Sequence, residues 1–177
     1  MVRFIALVLA ASGLVAAAVP GPRTYTISQN DKSLTLKKSE GFALLTPSNA
    51  TEPAQQWVLE YTPGSPSRTF TFKNAKFGTY FSYWNVPLRG GPGEGPMAGN
   101  DRPVPFILAP SNKPGEFYIT NKENMTVIYY PIGGSPNNLA DRPQVHIHWP
   151  QEGSEQTWVF KKAPAAAAAA KPLNRWL

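Results

Sequence analysis

Three short segments in which apolar and polar residues alternate recur along the chain at nearly constant spacing. Their sequences are Tyr25-Thr26-Ile27, Phe70-Thr71-Phe72 and Phe117-Tyr118-Ile119, and the asparagines that follow them are Asn30, Asn74 and Asn121. A period of two predicts β-strands whose alternate side chains share one face. The step from Ile27 to Phe72 is 45 residues, and the step from Phe72 to Ile119 is 47.

A second recurring pattern is an aromatic residue that begins an apolar strand. It appears in Gln55-Gln56-Trp57 and in Gln156-Thr157-Trp158, and Phe106 holds the corresponding place in a run where the glutamine is replaced. The steps from Trp57 to Phe106 and from Phe106 to Trp158 are 49 and 52 residues. Two separate patterns that recur three times with nearly the same spacing indicate one supersecondary unit used three times.

The Gln-x-Trp runs resemble those of the β-trefoil proteins, above all the ricin-B-type lectins, over roughly residues 22–162. The resemblance implies an all-β fold of three four-stranded units, at about 22–62, 66–110 and 113–162, in which six strands close a barrel and six form capping hairpins. It also implies a barrel interior filled by Tyr25, Ile27, Trp57, Phe70, Phe72, Phe106, Phe117, Ile119 and Trp158. We expect Gln55 and Gln156 to bond the backbone of a neighbouring hairpin, although in the lectin family this glutamine borders the sugar pocket.

The two ends of the chain differ from the repeated region. Residues 1–18 predict a secretory signal, because Arg3 precedes an apolar run and small residues precede Val19. That run is too short to span a membrane, and a buried N-terminal helix is the alternative. We therefore expect a secreted, extracellular protein without a membrane span, with a trefoil domain over 19–162 and a disordered Ala/Pro-rich tail over 163–177. The chain has no cysteine, so the domain depends on its core rather than on disulfides.

The formal net charge of +6 is concentrated at the ends of the chain. Arg3 belongs to the predicted signal, and the basic residues assigned to an acid-free C-terminal tail are Lys161, Lys162, Lys171 and Arg175. Residues 19–160 contain 12 basic and 11 acidic residues. Because a nucleic-acid binder carries a basic patch on the fold itself, we expect no nucleic-acid partner.

No catalytic pattern is present in the sequence. The chain has no cysteine nucleophile, no G-x-S-x-G, no H-E-x-x-H and no P-loop string. The glycine-rich run 90–95 is flanked by prolines and is not followed by a helix pattern, so it predicts a loop rather than a phosphate cradle. We expect neither enzymatic activity nor a cofactor.

The two histidines of the chain, His146 and His148, alternate with apolar residues in a predicted strand. Such a pair could supply two corners of a zinc site. With no cysteine and no third histidine to complete it, we expect two solvent-exposed strand histidines and no metal.

Sugar recognition needs an aromatic face and planar amides or carboxylates in a preformed pocket. Unit two carries an aromatic run at 80–84 and then, in our interpretation, a long loop to Pro103; unit three shows a parallel set, and the resemblance places pocket residues in comparable stretches. The predicted carbohydrate-binding residues are Tyr83, Trp84, Asn100 and Asp101 in unit two, and Tyr130, Asn137, Asn138 and Asp141 in unit three. Asp31 is the one candidate for the acid that opens the family's pocket. Glycans or glycoproteins are the leading partner class, and the alternative is that these residues pack beneath loops and form turns.

A protease inhibitor is the competing class, because the chain also resembles the fungal-type trefoil inhibitors of serine or cysteine proteases, which insert one exposed loop into an active-site cleft. The stretch 86–92 is braced by prolines, which limits the freedom lost on docking. Its predicted inhibitory residues are Leu88, Arg89 and Gly90, and Arg89 suits a protease with an acidic specificity pocket.

Two sequons predict N-glycosylation in a secreted chain, at Asn49 and Asn124. Asn49 lies in a predicted loop and is the favoured site. Asn124 lies in a predicted tight hairpin turn.

Overall fold

The computed structural model describes residues 18–65, 68–83, 95–130, 144–150 and 156–164, and these residues form three successive sets of four β-strands. The first set is β1 (Thr24–Gln29), β2 (Lys32–Leu36), β3 (Ala43–Pro47) and β4 (Gln56–Tyr61), with a short 3-10 helix at Pro53–Gln55. The second is β5 (Thr69–Asn74), β6 (Tyr80–Tyr83), β7 (Gly95–Asn100) and β8 (Phe106–Pro110). The third is β9 (Glu116–Thr120), β10 (Thr126–Tyr130), β11 (Gln144–His148) and β12 (Thr157–Lys162).

The first and last strands of the three sets close a six-stranded antiparallel barrel. Around the ring, β1 pairs with β4, β4 with β5, β5 with β8, β8 with β9, β9 with β12, and β12 with β1 again. Closure leaves no unpaired strand edge in the ring. The strand registers repeat as well, with the pairs Tyr25–Trp57, Phe70–Phe106 and Phe117–Trp158.

The remaining strands form three hairpins, β2–β3, β6–β7 and β10–β11, that close one end of the barrel. Each hairpin contacts the next through the same register, with the pairs Phe42–Ala98, Pro96–His146 and Leu44–Gln144. Leu44, Ala98 and His146 are therefore equivalent positions about a pseudo-threefold axis. The predicted β-trefoil fold is confirmed.

The nine side chains predicted to fill the barrel are all buried, so that prediction is confirmed. The two tryptophans also connect the barrel to the cap by hydrogen bonds. Trp57 Nε1 donates to the Leu34 carbonyl at 3.0 Å, and Trp158 Nε1 donates to the Val127 carbonyl at 2.8 Å. Phe106 has no ring donor, and its ring instead packs 5.6 Å from that of Phe81 in β6. Removing one of these rings is expected to cost roughly 3–5 kcal/mol.

The turn that follows the first strand differs between units. Asn74 and Asn121 are buried and shape their turns. Their Oδ1 atoms accept backbone N–H groups, from Lys76 (3.1 Å) and Phe77 (3.3 Å) at Asn74 and from Glu123 (3.1 Å) and Met125 (2.9 Å) at Asn121. Counted from the last inward-facing residue of the strand, Asn30 lies one position later than Asn74 and Asn121. It forms a two-residue turn with Asp31, and their φ values of 47° and 58° are typical of the hairpin turn that favours Asn and Asp.

Two sequence interpretations of chain segments are wrong. Residues 95–100 form strand β7 rather than part of a long loop, because the pairing of Gly95–Asn100 with β6 and β11 outweighs the weak strand propensity of a Gly-Pro-Met-Ala-Gly-Asn segment. Lys161 and Lys162, which the charge count placed in the tail although the predicted domain extends to residue 162, belong to β12, since they pair with Thr26 and Tyr25 of β1. No helix in the described part of the chain has the length and apolar character needed to cross a membrane.

Candidate functional site

A cleft of about 330 Å³ lies where unit one meets unit two. Among the described residues it is lined by Glu40, Gly99, Asn100 and Asp101. Asn100 and Asp101 are two of the predicted carbohydrate-binding residues, and Glu40 is contributed by the turn between β2 and β3 of the preceding unit. The volume is at the lower end of the range of small-molecule sites.

Backbone contacts hold the two sides of the cleft together. The Gly99 N–H donates to the Gly41 carbonyl at 3.0 Å, and Phe42 forms a bridge with Ala98. The Gly99 backbone is so close to the turn that a Cβ atom would lie 1.8 Å from the carbonyl oxygen of Ser39. Only glycine allows this approach, and the approach brings Glu40 next to Asn100 and Asp101.

The polar groups of the cleft can bind a pair of hydroxyl groups. The Arg102 backbone N–H donates to Asn100 Oδ1 at 3.0 Å, which assigns the oxygen and leaves the amide NH₂ as a donor. Glu40 and Asp101 are exposed, and their carboxylates supply acceptors. A sugar hydroxyl both donates and accepts, so an amide donor and carboxylate acceptors that line one cleft offer it both kinds of partner.

The aromatic residue opposite Asn100 is Tyr80, because these two residues pair across β6 and β7 and directly opposed side chains share one face of a sheet. Lys73 Nζ lies 5.4 Å from the centre of the Tyr80 ring. Tyr83, the predicted aromatic, pairs with Met97, roughly 10 Å further along the hairpin. Its ring lies 6.4 Å from that of Phe106, so the structure places Tyr83 beside the core and not at the cleft.

Several predicted residues lie outside the described part of the chain. They are Trp84, Asn137, Asn138 and Asp141 of the carbohydrate hypothesis and Leu88, Arg89 and Gly90 of the inhibitor hypothesis. For Tyr130 the structure describes the backbone alone, paired with Gln144. These assignments stay predictions.

In unit three, the residues equivalent to Asn100 and Asp101 at the end of β7 are His148 and Trp149 at the end of β11. His148 pairs with Thr126 as Asn100 pairs with Tyr80. The Trp149 side chain is 45% exposed, which is unusual for so large an apolar group.

The prediction of two solvent-exposed histidines is wrong for His146. The side chain is only 2% exposed, because β7 packs against β11 at this position and pairs Pro96 with His146. Burial lowers the pKa of His146 to about 4, with a smaller contribution from repulsion by His148. In the described part of the chain, no three His, Cys, Asp or Glu side chains come together as a metal site.

The predicted backbone role of Gln55 is confirmed. Its Nε2 donates to Thr46 Oγ1 and to the Pro47 carbonyl, both at 2.9 Å, and its Oε1 accepts from the Asn49 N–H at 2.7 Å. Both amide hydrogens are thereby used within unit one. Gln55 joins the 3-10 helix to the end of β3.

Sequence reasoning missed Glu40 at the cleft and Tyr80 opposite Asn100. Strand alternation could have identified Tyr80, because Phe81 and Tyr83 share the core face of β6 and Tyr80 lies on the other face. No sequence signal identifies Glu40. It comes from another unit and reaches the cleft only through the contact between Ser39 and Gly99.

The described geometry defines a β-trefoil protein with a polar cleft between units, and comparisons with known proteins agree with that class. No family model matches the chain, and no curated protein matches it. Among solved structures, the chain is similar to a Macrolepiota procera ricin B-like lectin in complex with lactose, with a TM-score of 0.63 and 18% identity over 82% of this chain and 99% of the lectin.

Two further structures show the same fold. The Rhizoctonia solani agglutinin has a TM-score of 0.62 and 19% identity over 83% of this chain and 99% of the agglutinin. ThreeFoil, a designed 3-fold symmetric protein, has a TM-score of 0.58 and 12% identity over 77% of this chain and 96% of the design. The chain is thus similar in structure to ricin B-like lectins and to a threefold-symmetric design.

Proposed function

We propose that the protein is a secreted, non-enzymatic carbohydrate-binding module whose cleft binds a sugar through Glu40, Asn100 and Asp101. The observation that carries the proposal is the cleft itself, which is lined together by an amide of fixed orientation and by two exposed acidic residues. The structural similarity to a ricin B-like lectin bound to lactose supports the same ligand class.

The expected ligand is a neutral sugar with neighbouring hydroxyl groups, displayed in several copies on a glycan or glycoprotein. A cleft of this size covers one ring and buries little surface, so the affinity of one site should be weak. Multivalent display would raise the apparent affinity without new contacts.

The test is a glycan array with the mature protein, followed by titration of the best glycan. Glu40→Gln and Asp101→Asn keep the shape of each side chain and remove one charged acceptor, so each should weaken binding about tenfold. Glu123→Gln is the matched control, because Glu123 is exposed on another turn and pairs with Lys122 at 3.5 Å. Binding that neither cleft variant changes would show that the sugar binds elsewhere.

The protease-inhibitor alternative depends on residues 86–92, all of which lie outside the described residues. A trypsin inhibition assay with wild type and Arg89→Ala separates the two classes. An empty glycan array together with inhibition that Arg89→Ala abolishes would replace the carbohydrate proposal.

Secretion and glycosylation are proposed together. Asn49 is exposed, and its Oδ1 accepts from the Thr51 N–H at 3.1 Å and from Thr51 Oγ1 at 2.8 Å. In the second sequon the acceptor Asn124 has φ 64° and Thr126 is buried, so we favour Asn49. Mass spectrometry of protein secreted by a eukaryotic host should find an N-terminus near Val19 and a glycan that Asn49→Gln removes; retention of the unprocessed protein in the cell would contradict the proposal.

A further inference from the structure

The end of the barrel opposite the hairpin cap has six positions that form two sets of three equivalents. In each unit, one position lies two residues before the first inward-facing aromatic residue, and the other lies four residues after the closing aromatic residue. An even step along a strand keeps a side chain on the same face, so all six positions belong to the inward-facing rows of the barrel. We call this ring the barrel mouth, and its residues are Arg23, Tyr61, Arg68, Pro110, Gly115 and Lys162. Three of the six are basic and none is acidic.

The basic residues and the aromatic residue of the barrel mouth lie on adjacent strands. Lys162 of β12 pairs with Tyr25 of β1, and the carbonyl of Arg23, just before β1, accepts from the Leu59 N–H of β4 at 2.8 Å. Tyr61 ends β4 and pairs with Phe70 of β5, two residues beyond Arg68. The four strands span roughly 15 Å of the circumference, which is the scale of two or three sugar rings.

The three basic side chains face solvent. Arg23, Arg68 and Lys162 are exposed, and none takes part in the ion pairs found among the described residues. Glu116 of β9 already interacts with Lys113 at 3.8 Å and accepts from Thr157. Glu60, the residue before Tyr61 in β4, is exposed and belongs to the opposite face of its strand. The barrel mouth therefore presents positive charge to a ligand.

Tyr61 supplies a fixed aromatic face among these charges. Its side chain is 58% exposed, while its ring stacks on the buried Phe70 with ring centres 5.0 Å apart and planes at 25°. One face of the ring is thus held against the core and the rest is open. An anchored aromatic surface loses little conformational entropy when a flat ligand packs on it.

Arg68 occupies a backbone position that suits glycine. Its φ is 78°, and Gly115, the equivalent residue of unit three, has φ 80°. A non-glycine residue is strained in this region, so glycine would serve the fold better at position 68. A strained residue whose side chain is basic and exposed points to a role for that side chain outside folding.

We propose that the barrel mouth binds an anionic polysaccharide, with Arg23, Arg68 and Lys162 contacting sulfate or carboxylate groups and Tyr61 packing on a sugar ring. A membrane surface fits less well, because Tyr61 is the one large exposed apolar group described at the mouth and a bilayer requires more apolar area. Single-stranded nucleic acid fits less well, because it needs a basic groove with several aromatic platforms. The site is independent of the cleft.

The test measures binding of the mature protein to dextran sulfate, polygalacturonate and uncharged dextran at 50 mM salt. We expect binding to at least one anionic polymer and none to dextran; the polymer that binds identifies sulfate or carboxylate as the preferred group. Replacing Arg23, Arg68 and Lys162 together by glutamine should weaken binding at least about 30-fold, since each lost contact is worth several-fold. Tyr61→Ser should weaken it about fivefold.

The matched control replaces Lys32, Lys37 and Lys122, which are exposed elsewhere, by glutamine and removes the same net charge. It should change binding less than twofold, and so should the cleft variant Asp101→Asn. Equal losses in both triple variants would show non-specific attraction and overturn the proposal. Binding to phosphatidylserine vesicles or to oligo-dT with no binding to either anionic polysaccharide would also overturn it.

Arg68→Gly tests whether Arg68 serves binding rather than folding, because the two roles predict opposite changes in the melting temperature. Removing the strain should raise the melting temperature by about 3 °C, while the lost charge weakens polysaccharide binding. A lower melting temperature, or unchanged binding, would contradict the role inferred for Arg68.

Discussion

The cleft and the barrel mouth lie at opposite ends of the barrel strands and are built in different ways. The cleft depends on close backbone packing between units, and its lining carries the two carboxylates of Glu40 and Asp101. The barrel mouth depends on three exposed cations and a stacked tyrosine on neighbouring strands.

Each site contains a residue that departs from its symmetry equivalents. Gly99 stands where the other units have Leu45 and Ile147, and Arg68 stands where unit three has Gly115. In the cleft the lack of a side chain at Gly99 lets a turn approach, and at the mouth Arg68 carries a charged side chain on a backbone position that suits glycine. The repeated positions make the fold, and the departures from the repeat mark the candidate sites.

The largest predicted difference between the two ends is their response to pH. Burial holds the pKa of His146, in the cap, at about 4, below the ordinary value of 6.5. Above pH 6.5 the histidine is neutral in both the folded and the unfolded chain, and its contribution to stability is constant. As the pH falls from 6.5 to 4 the unfolded chain takes up the proton first, so the free energy of unfolding should decrease by up to about 3 kcal/mol.

Urea unfolding at pH 7.0, 6.0 and 5.0 measures this loss. Measurements above pH 5 report on His146 and not on Glu52. The pKa of Glu52 is lowered from 4.5 by a backbone hydrogen bond from Ala54 and by Lys76, so the contribution of Glu52 to stability is lost at lower pH. His146→Leu, which copies the equivalent Leu44, should flatten the pH dependence, and His148→Gln should keep it. A flat wild-type profile from pH 7 to 5 would refute the assignment.

The next largest effect is expected from Gly99→Ala, which tests the close packing of the cleft. The added Cβ would meet the Ser39 carbonyl oxygen at 1.8 Å, which is backbone and cannot rotate away. We expect a loss of about 2 kcal/mol in the free energy of unfolding and a displaced Glu40, with weaker glycan binding at the cleft and unchanged polysaccharide binding at the mouth. Gly21→Ala is the control, since no atom lies within 4 Å of its Cβ position; equal losses in the two variants would show that the contact at Gly99 is unimportant.

The periodic parts of the molecule could be predicted from the sequence because their signals are local. Alternation and the recurring aromatics identified the barrel residues, since a buried position such as Trp57 or Ile119 is set by its own strand. The candidate sites were harder because they depend on contacts between distant segments. Nothing near Glu40 in the sequence indicates that it lines a cleft with Asp101, and strand β7 has too little β-propensity to be separated from a loop.

Net charge misled the sequence interpretation at the mouth for a related reason. Lys161 and Lys162 were assigned to a tail, where their charge would be dispersed in solvent. In the structure they end β12, and the pairing of Lys162 with Tyr25 brings its charge to the same rim as Arg23 and Arg68. A chain segment that is nearly neutral in sum can therefore fold into a locally basic surface.

The smallest predicted difference between the two ends is their response to salt. Hydrogen bonds from the cleft to a neutral sugar act at contact and are little affected by screening, so raising sodium chloride from 50 to 500 mM should change glycan affinity less than twofold. At the mouth, attraction between three cations and an anionic polymer extends over several ångströms, while the screening length falls from roughly 14 to 4 Å over this range. Polysaccharide affinity should therefore fall at least about tenfold, or 1.4 kcal/mol.

Parallel titrations by calorimetry measure the salt dependence of both affinities. In the variant that replaces Arg23, Arg68 and Lys162 by glutamine, the residual polysaccharide binding should lose most of its salt dependence. If glycan binding proved as sensitive to salt as polysaccharide binding, the two ligands would share one site and the separation of the two ends would be wrong.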